Sequence, residues 1–467
     1  MQRFQLLNEN DITMIHENSL RILEEVGVIF SYEPALEIFR KHGAKVEGKT
    51  VFIPKEMVAK ALETTPSSFT LYSRNPERNV EFDTVKPHFC GPGGSAYIRD
   101  LDNGRRRSTK ADFINLIKLF QSLDLIEMHH VPCEMGDVDP DIRNKEVVYQ
   151  AMKYSDKPIM PFMYDYEEAK TIIEMASIPF GGLESVKNKP VILADPCTVT
   201  PLSYDDKAIS ALMAFAEYGQ IQLINSLCMA GATAPATLAG NVSVQNAEIL
   251  AGIVLAQAIN PGCPIIYSAS GSNADMRTGN LTVGSPEDAL MSLINGQLAK
   301  FYNLPCRISG AINDSKCVDA QAAYESAINM MTTIMAGGNF ILHGAGILET
   351  YNTISLEKVI TDYEVLGMIS RLERGIEVNE DTLAFDVIKS VGPQGQYLTE
   401  AHTFMNFRKE HYMPFLSNRQ TIAQWEDAGS NGIEVAANAK WKQILEEYTA
   451  PDFSAELDAD LQKFLVK

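Results

Sequence analysis

Eight copies of one pattern, a short apolar run followed by a longer amphipathic segment, constrain the fold of this chain most strongly. The apolar runs lie at 88–93, 126–134, 158–164, 190–196, 221–229, 264–270, 306–313 and 339–346. The amphipathic segments lie at 110–122, 145–154, 166–176, 205–218, 244–259, 286–302, 319–336 and 356–372. Such alternation is typical of parallel strands joined by helices, and eight units close a barrel. We predict an α/β fold with a (β/α)₈ TIM barrel over 86–373, although an open doubly wound sheet has the same alternation.

The segments on either side of this repeat have a different pattern. Residues 1–85 contain three predicted helices, at 11–25, 34–42 and 54–64, and are interpreted as an N-terminal helical extension. Residues 374–467 are polar, partly helical and contain both tryptophans. We interpret this C-terminal tail as a cover for the barrel or a contact between subunits.

Charge and composition restrict the possible partners. The formal net charge of −20 argues against nucleic acid, because phosphate backbones select basic surfaces. The N-terminus lacks the features of a signal peptide, and no uninterrupted apolar run reaches about 18 residues, so we expect no membrane span. Seven scattered cysteines without a CxxC pair indicate reduced thiols in a cytoplasmic protein.

The active site of a barrel lies where the carboxyl ends of its strands converge. The candidate residues at these ends, within the seventh strand or in the loop after the eighth are Tyr97, Asp195, Ser270, Arg307, Asn313, His343, Glu349 and Tyr351. Arg307 is the only charge in 304–313, so it forms either a core salt bridge or an anchor for a substrate carboxylate. His343 is open to a structural role and Tyr97 to a packing role. No pattern typical of a metal site, a GxSxG nucleophile or a phosphate loop occurs in the sequence.

Several motifs, in order along nearly the whole chain, resemble the trimethylamine methyltransferase superfamily, in its branch without pyrrolysine. They are 19–28, Gly91-Pro92-Gly93 with Asp100, Asp102, Gly104, Arg105 and Arg106, Asp314-Ser315-Lys316 with Asp319-Ala320-Gln321, His343-Gly344-Ala345-Gly346 within 339–349, and His402-Thr403. The resemblance implies a barrel that moves a methyl group from a quaternary amine to the Co(I) of a corrinoid on a separate protein. It implies no tightly bound cofactor, a betaine such as glycine betaine, proline betaine or carnitine as substrate, and a homo-oligomer.

The chemistry implied by this resemblance assigns roles to the candidates. A quaternary amine leaves as a neutral tertiary amine, so positioning of the methyl group matters more than a general acid. We predict His343 and Asn313 as catalytic residues. The predicted substrate contacts are Tyr97, Glu349 and Tyr351 at the ammonium, Arg307 at the carboxylate, and Asp195 and Ser270.

Two other classes of function remain open from the sequence. A barrel lyase or isomerase would use Asp195, Asp314 and Lys316 for proton transfer, with Lys316 as a desolvated Schiff-base lysine. A non-catalytic protein would bind the amine or the corrinoid partner without transferring a methyl group.

Overall fold

The computed structural model describes residues 4–466. The first region contains helices α1 (Glu9–Arg21), α2 (Glu33–Lys41) and α3 (Lys55–Thr64), and strands β1 (Val28–Phe30), β2 (Lys45–Glu47), β3 (Thr50–Phe52), β4 (Phe69–Leu71) and β5 (Val80–Phe82). The three predicted helices are confirmed, although a π-helical turn at Ile22–Val26 follows α1. The small strands were not predicted, because three-residue strands have no measurable alternation.

Fifteen strands follow within the described residues. They are β6 (His88–Cys90), β7 (Tyr97–Asp100), β8 (Gly104–Arg107), β9 (Ile126–Met128), β10 (Leu193–Ala194), β11 (Ser203–Tyr204), β12 (Ile221–Ser226), β13 (Met229–Ala230), β14 (Ile265–Ala269), β15 (Ser272–Ala274), β16 (Leu281–Thr282), β17 (Cys306–Ser309), β18 (Phe340–Leu342), β19 (Ile347–Leu348) and β20 (Thr353–Ser355). Strand β1 pairs in parallel with β11, which joins the first region to the centre of the molecule.

Seven of these strands form one parallel sheet in the order β10-β12-β14-β17-β18-β6-β9. The order follows the chain, with the first strand of the repeat, β6, beside the last, β18. In a doubly wound sheet the order instead reverses at a switch point. The predicted strand 158–164 contributes one isolated parallel bridge, between Ile159 and His129. Pro158 and Pro161 shorten it, because proline has no N–H to donate to a ladder.

Helices alternate with the strands of this sheet, as the sequence predicts. They are α4 (Lys110–Gln121), α5 (Pro140–Tyr154), α6 (Tyr166–Ser177), α7 (Asp206–Glu217), α8 (Leu238–Ile259), α9 (Pro286–Phe301), α10 (Ala320–Ala336) and α11 (Leu356–Arg374). Side-chain caps fix several starting points, including Thr109, Asp205, Ser285 and Asp319. Helix α8 is long and apolar enough to cross a membrane, but most of it is buried in the protein.

The interior of the sheet is apolar away from the predicted active-site end. Phe340, Leu342, Ile266, Leu223 and Met128 pack there in one buried cluster. Polar side chains are concentrated at the opposite end, after the strands finish. The core therefore fixes the strand ends that carry the candidate site residues.

A smaller sheet, with the order β19-β20-β7-β8, lies beyond the carboxyl ends of β6 and β18 along the chain. Strand β20 pairs in parallel with β7, in the register Thr353–Tyr97, and β7 forms a hairpin with β8. We call it the cover sheet. It connects the loop after the last strand of the repeat to the loop after the first.

The last region contains helices α12 (Glu380–Leu383), α13 (Phe385–Val391), α14 (Ala401–Glu410), α15 (Ile422–Asp427), α16 (Ile433–Glu446) and α17 (Ala455–Gln462). Helix α16 packs on α11, and its Trp441 donates an indole hydrogen bond to Glu357 at 3.0 Å. None of α12 to α15 contains a buried residue.

Candidate active site

Arg307 lies inside the sheet on β17 and is only 2% exposed. Its Nε and Nη1 have no hydrogen-bond partner among residues 4–466, and no carboxylate of that part of the chain lies within ion-pair distance. A buried guanidinium without a partner is costly, because the charge has lost its water and gained nothing in return. Of the two alternatives for Arg307, the structure therefore disfavours the core salt bridge.

His343 follows β18 in the left-handed region, with φ of +59°, which is uncommon for a residue with a side chain. The N–H of Gly93 donates to its Nδ1 at 3.4 Å, so the ring proton belongs on Nε2. Burial lowers the pKa of His343 well below its usual value, and the nearby charges of Arg307 and His130 lower it further. The imidazole is thus a neutral donor beside Arg307.

Tyr351 packs against His343, with the ring centroids 4.8 Å apart. It ends a run of three residues, Glu349, Thr350 and Tyr351, with φ of +54°, +53° and +74°. Three successive left-handed residues store strain, which usually marks a functional loop. Burial raises the pKa of the Tyr351 phenol, and Asp288 nearby raises it further, so the phenol stays protonated.

Asp195 follows β10 and Ser270 follows β14, with β12 between these two strands in the sheet. Burial raises the pKa of Asp195 to about 6, although the positive charge of Arg307 opposes this shift. Its Oδ1 is buried without a hydrogen-bond partner among the described residues. The Ser270 hydroxyl donates to Asn225 Oδ1 at 3.0 Å, so it is already occupied within the protein.

Three predicted site residues have other partners in the structure. Asn313 is fully buried, and its amide donates to the Ile347 carbonyl at 2.6 Å, which holds the backbone after β18. The guanidinium of Arg105 covers the Tyr97 ring at 3.6 Å and also pairs with Glu349 at 2.9 Å. These contacts occupy the ring face and the carboxylate that the sequence analysis assigned to the substrate ammonium.

Two residues that the sequence analysis did not place in the site adjoin this cluster. Asp288, on α9, is 5% exposed and interacts electrostatically with Arg307 and Asp314. From the sequence it looks like an ordinary first-turn acid three residues after the cap Ser285, so no signal separates it from a capping residue. His130 is buried and donates through Nδ1 to the Met160 carbonyl at 2.5 Å.

The glycines at this end of the sheet differ in how closely their backbone is packed. A Cβ on Gly93 would lie 1.8 Å from Cδ2 of His130, so only glycine fits there. Gly94 and Gly231, with φ of +88° and +85°, have no atom closer than 3.4 Å to such a Cβ. The rim therefore has both tightly packed and open backbone.

A groove of about 930 Å³ opens beside the cluster, between the loops that follow β14, β17 and β18. Its charged lining comprises Asp275, Asp314, Lys316, Glu325 and Glu349. The Asp314 carboxylate accepts hydrogen bonds from the N–H groups of Val283 and Gly284 and from the Thr350 hydroxyl, so it has a structural use. Lys316 is exposed, whereas a Schiff-base lysine needs desolvation, so this geometry does not favour the lyase alternative.

The chain matches known proteins over its whole length. Residues 1–467 match the family described as trimethylamine methyltransferase (MTTB). The chain is 44% identical over 468 residues to a glycine betaine methyltransferase of Desulfitobacterium hafniense (strain Y51), which covers 100% of this chain and 98% of that protein. It is 34% identical to a proline betaine:corrinoid methyltransferase of Eubacterium limosum, with 98% and 96% covered.

The fold also resembles a solved structure. The monomethylamine methyltransferase of Methanosarcina barkeri superposes with a TM-score of 0.59 over 96% of this chain and 90% of that one. At 10% identity this likeness concerns the fold alone, and it agrees with the α/β architecture described above. The full-length family match and the two relatives confirm the resemblance found in the sequence, and the chain belongs to the trimethylamine methyltransferase family.

Proposed function

We propose that this protein transfers a methyl group from a betaine to the Co(I) of a corrinoid carried by a separate protein. The observation that carries the proposal is the buried guanidinium of Arg307, which has two unpartnered donor nitrogens and lies near the neutral His343. Buried donors of this kind fit a carboxylate, which a betaine has and a simple methylamine lacks. The names of the 44% and 34% identical relatives support the same substrate class.

The residues of the cluster act by binding and orientation. Arg307 and His343 hold the carboxylate end, and Tyr351 offers an aromatic face to the cationic end. With the carboxylate fixed, the methyl group is confined to the open rim near Gly94 and Gly231, where backbone without side chains leaves room for a flat ring. When docked there, the corrinoid supplies the cobalt nucleophile that accepts the methyl group. The departing amine is neutral, so no proton donor is needed at nitrogen.

We propose glycine betaine as the first substrate to test, because the glycine betaine relative shares the higher identity. A pocket distinguishes betaines that differ by a ring or a methylene by only about 1–3 kcal/mol, so the panel must include proline betaine and carnitine.

We also propose that 158–164 completes the sheet as a closed eight-stranded (β/α)₈ barrel, which the parallel bridge at Ile159 supports. In this proposal the barrel spans residues 86–373, with the N-terminal extension at 1–85 and the C-terminal tail at 374–467.

We propose further that the protein is a cytoplasmic homo-oligomer. Its seven cysteines form no disulfide, as expected of a reducing compartment.

Residues 376–435, here called the arm, carry thirteen large exposed apolar side chains, among them Phe385, Leu398 and Phe404. Helices this short and without buried residues need an outside surface to stabilise them. A second copy fits better than the corrinoid protein, because a partner that leaves after each turnover would uncover them.

The decisive experiment is anaerobic methyl transfer to reduced cobalamin, and then to a reduced corrinoid protein, followed by the visible spectrum. We expect methylcobalamin to form with a betaine and not with trimethylamine. Binding of betaine without any demethylated product would favour the non-catalytic amine-binding alternative. Trapping of a carbonyl substrate on Lys316 by borohydride would favour the lyase.

A further inference from the structure

Arg307 and Asp288 are buried ionisable side chains that do not pair with one another. Arg307 is 2% exposed and Asp288 is 5% exposed, and the two interact electrostatically. No nitrogen of Arg307 lies within 4.0 Å of the Asp288 carboxylate, and within residues 4–466 this carboxylate has no hydrogen-bond partner. A buried guanidinium and a buried carboxyl that are not paired with one another are each costly, because neither has a partner in place of water. A zwitterion bound beside both would give each of them a partner.

One aromatic side chain of the cluster interacts with both of these groups. Tyr351 interacts with both Asp288 and Arg307, and its ring packs on His343 at 4.8 Å. Its charged neighbours are Asp288, Arg307 and Asp314, and Asp195 is not among its electrostatic interactions. The carboxylates therefore differ in their surroundings. Asp288 interacts with the aromatic residue Tyr351, whereas Asp195 interacts with Arg307 and Cys197.

We infer that Asp288, together with the Tyr351 ring, holds the quaternary ammonium of the substrate, while Arg307 holds its carboxylate. This inference rests on the proposed function, since it takes a betaine as the ligand. A carboxylate and an aromatic face together form a favourable site for a quaternary ammonium group, which has no N–H to donate. It also moves the ammonium site away from Tyr97 and Glu349, which Arg105 occupies.

Binding of a cation would change the protonation of Asp288. Burial and the neighbouring Asp314 raise the pKa of Asp288 well above its usual range, and Arg307 opposes the shift. The other charged or titratable group facing it is the Tyr351 phenol. A bound cation stabilises the ionised carboxylate, because an opposite charge nearby lowers a carboxyl pKa. After methyl transfer the amine is neutral, this stabilisation disappears, and the product is held less tightly than the substrate.

The test uses a neutral copy of the substrate. Glycine betaine and 3,3-dimethylbutyrate have the same shape and the same carboxylate, but the second has carbon in place of the ammonium nitrogen. We expect the wild-type protein to bind glycine betaine at least about tenfold more tightly in calorimetry. In Asp288→Asn this preference should fall to about threefold or less, and Asp288→Glu should restore part of it.

The matched control is Asp195→Asn, the other buried carboxyl near Arg307. It should change the binding of both ligands in parallel and keep the preference for the cation. A preference that survives in Asp288→Asn, or that disappears in Asp195→Asn instead, overturns the inference. So does a wild-type protein that binds both ligands equally or binds neither. Circular dichroism verifies the fold of each variant, and because only binding is measured, the result is independent of the methyl-transfer assay.

Discussion

Arg105 on β8 pairs with both carboxylate oxygens of Glu349, at 2.9 Å each, and so connects the β7–β8 hairpin to the turn between β19 and β20. Glu349 begins the left-handed run that ends at Tyr351, which contacts His343. The pair therefore fixes the backbone that places Tyr351 against His343. An exposed ion pair of this kind contributes little to stability, but it can position a loop.

Replacing Arg105 by Gln should lower methyl transfer without unfolding the protein. Release of Glu349 lets the strained run relax, and a shift of about 1 Å at Tyr351 would reduce kcat/KM by about 10- to 100-fold. Kinetics with glycine betaine and a thermal melt measure both effects. The control is Arg107→Gln, which removes the other guanidinium over the Tyr97 ring, at 4.4 Å, and leaves the Glu349 pair intact. Equal losses in the two variants would contradict a role for the Glu349 pair.

Replacing Arg307 by Ala should abolish most of the affinity for betaines. Loss of a buried charge that binds a charged ligand costs about 2–5 kcal/mol, so the dissociation constant should rise at least about 30-fold. Isothermal titration with glycine betaine measures it. Arg307→Lys keeps the charge but lacks the paired N–H groups. Its dissociation constant should therefore lie between those of the wild-type protein and the Ala variant. Unchanged affinity in a folded Ala variant would exclude Arg307 as the carboxylate anchor.

Betaine affinity should weaken as the pH rises through about 6. The pKa of Asp195 is raised to about 6, so below this pH its carboxyl is neutral and Arg307 is free for the substrate. Above it the anion of Asp195 competes for Arg307, and affinity should fall by about three- to tenfold between pH 5 and about 7. The lowered pKa of His343 keeps that ring neutral across this range. Asp195→Asn should flatten the profile, and an unchanged profile would contradict the assignment.

Replacing Gly93 by Ala should destabilise the protein by about 1–3 kcal/mol, because the added Cβ collides with the His130 ring. Urea unfolding measures the loss. Gly432→Ala is the control, since a Cβ at that position meets nothing within 4 Å. The double variant Gly93→Ala, His130→Ala should lose less than the sum of the two single variants. Full additivity would show that the collision is not the cause.

Charges in the arm should dissociate the oligomer. The variant Leu398→Asp, Phe404→Asp should shift the mass in light scattering toward the monomer, because burying two carboxylates in an apolar interface is costly. Val85→Asp, an equally exposed apolar position outside the arm, is the control and should keep the wild-type mass. A wild-type monomer, or an oligomer that survives the double change, would contradict the proposed interface.

The sequence by itself determined the alternation of strands and helices, because burial of one face imposes a period that is readable from consecutive residues. It also identified the family, and it singled out Arg307 as the only charge within one apolar strand and His343 as a polar residue at the end of another. Strand 158–164 was predicted too long, because its prolines limit pairing in a way that apolar character does not reveal.

Only the tertiary structure decided which polar side chains face the cavity. Asn313 follows a strand and Asp288 lies in the first turn of a helix, yet the amide of the first donates to the Ile347 carbonyl and the second interacts with Arg307. Arg105 and Glu349 are separated by 244 positions, so no local pattern predicts that they pair with each other. Their pairing leaves the Glu349 carboxylate occupied and not available to a substrate. Local periodicity fixes the face on which a residue lies, whereas its partner depends on contacts between distant segments, which form only when the sheet brings its strand ends together.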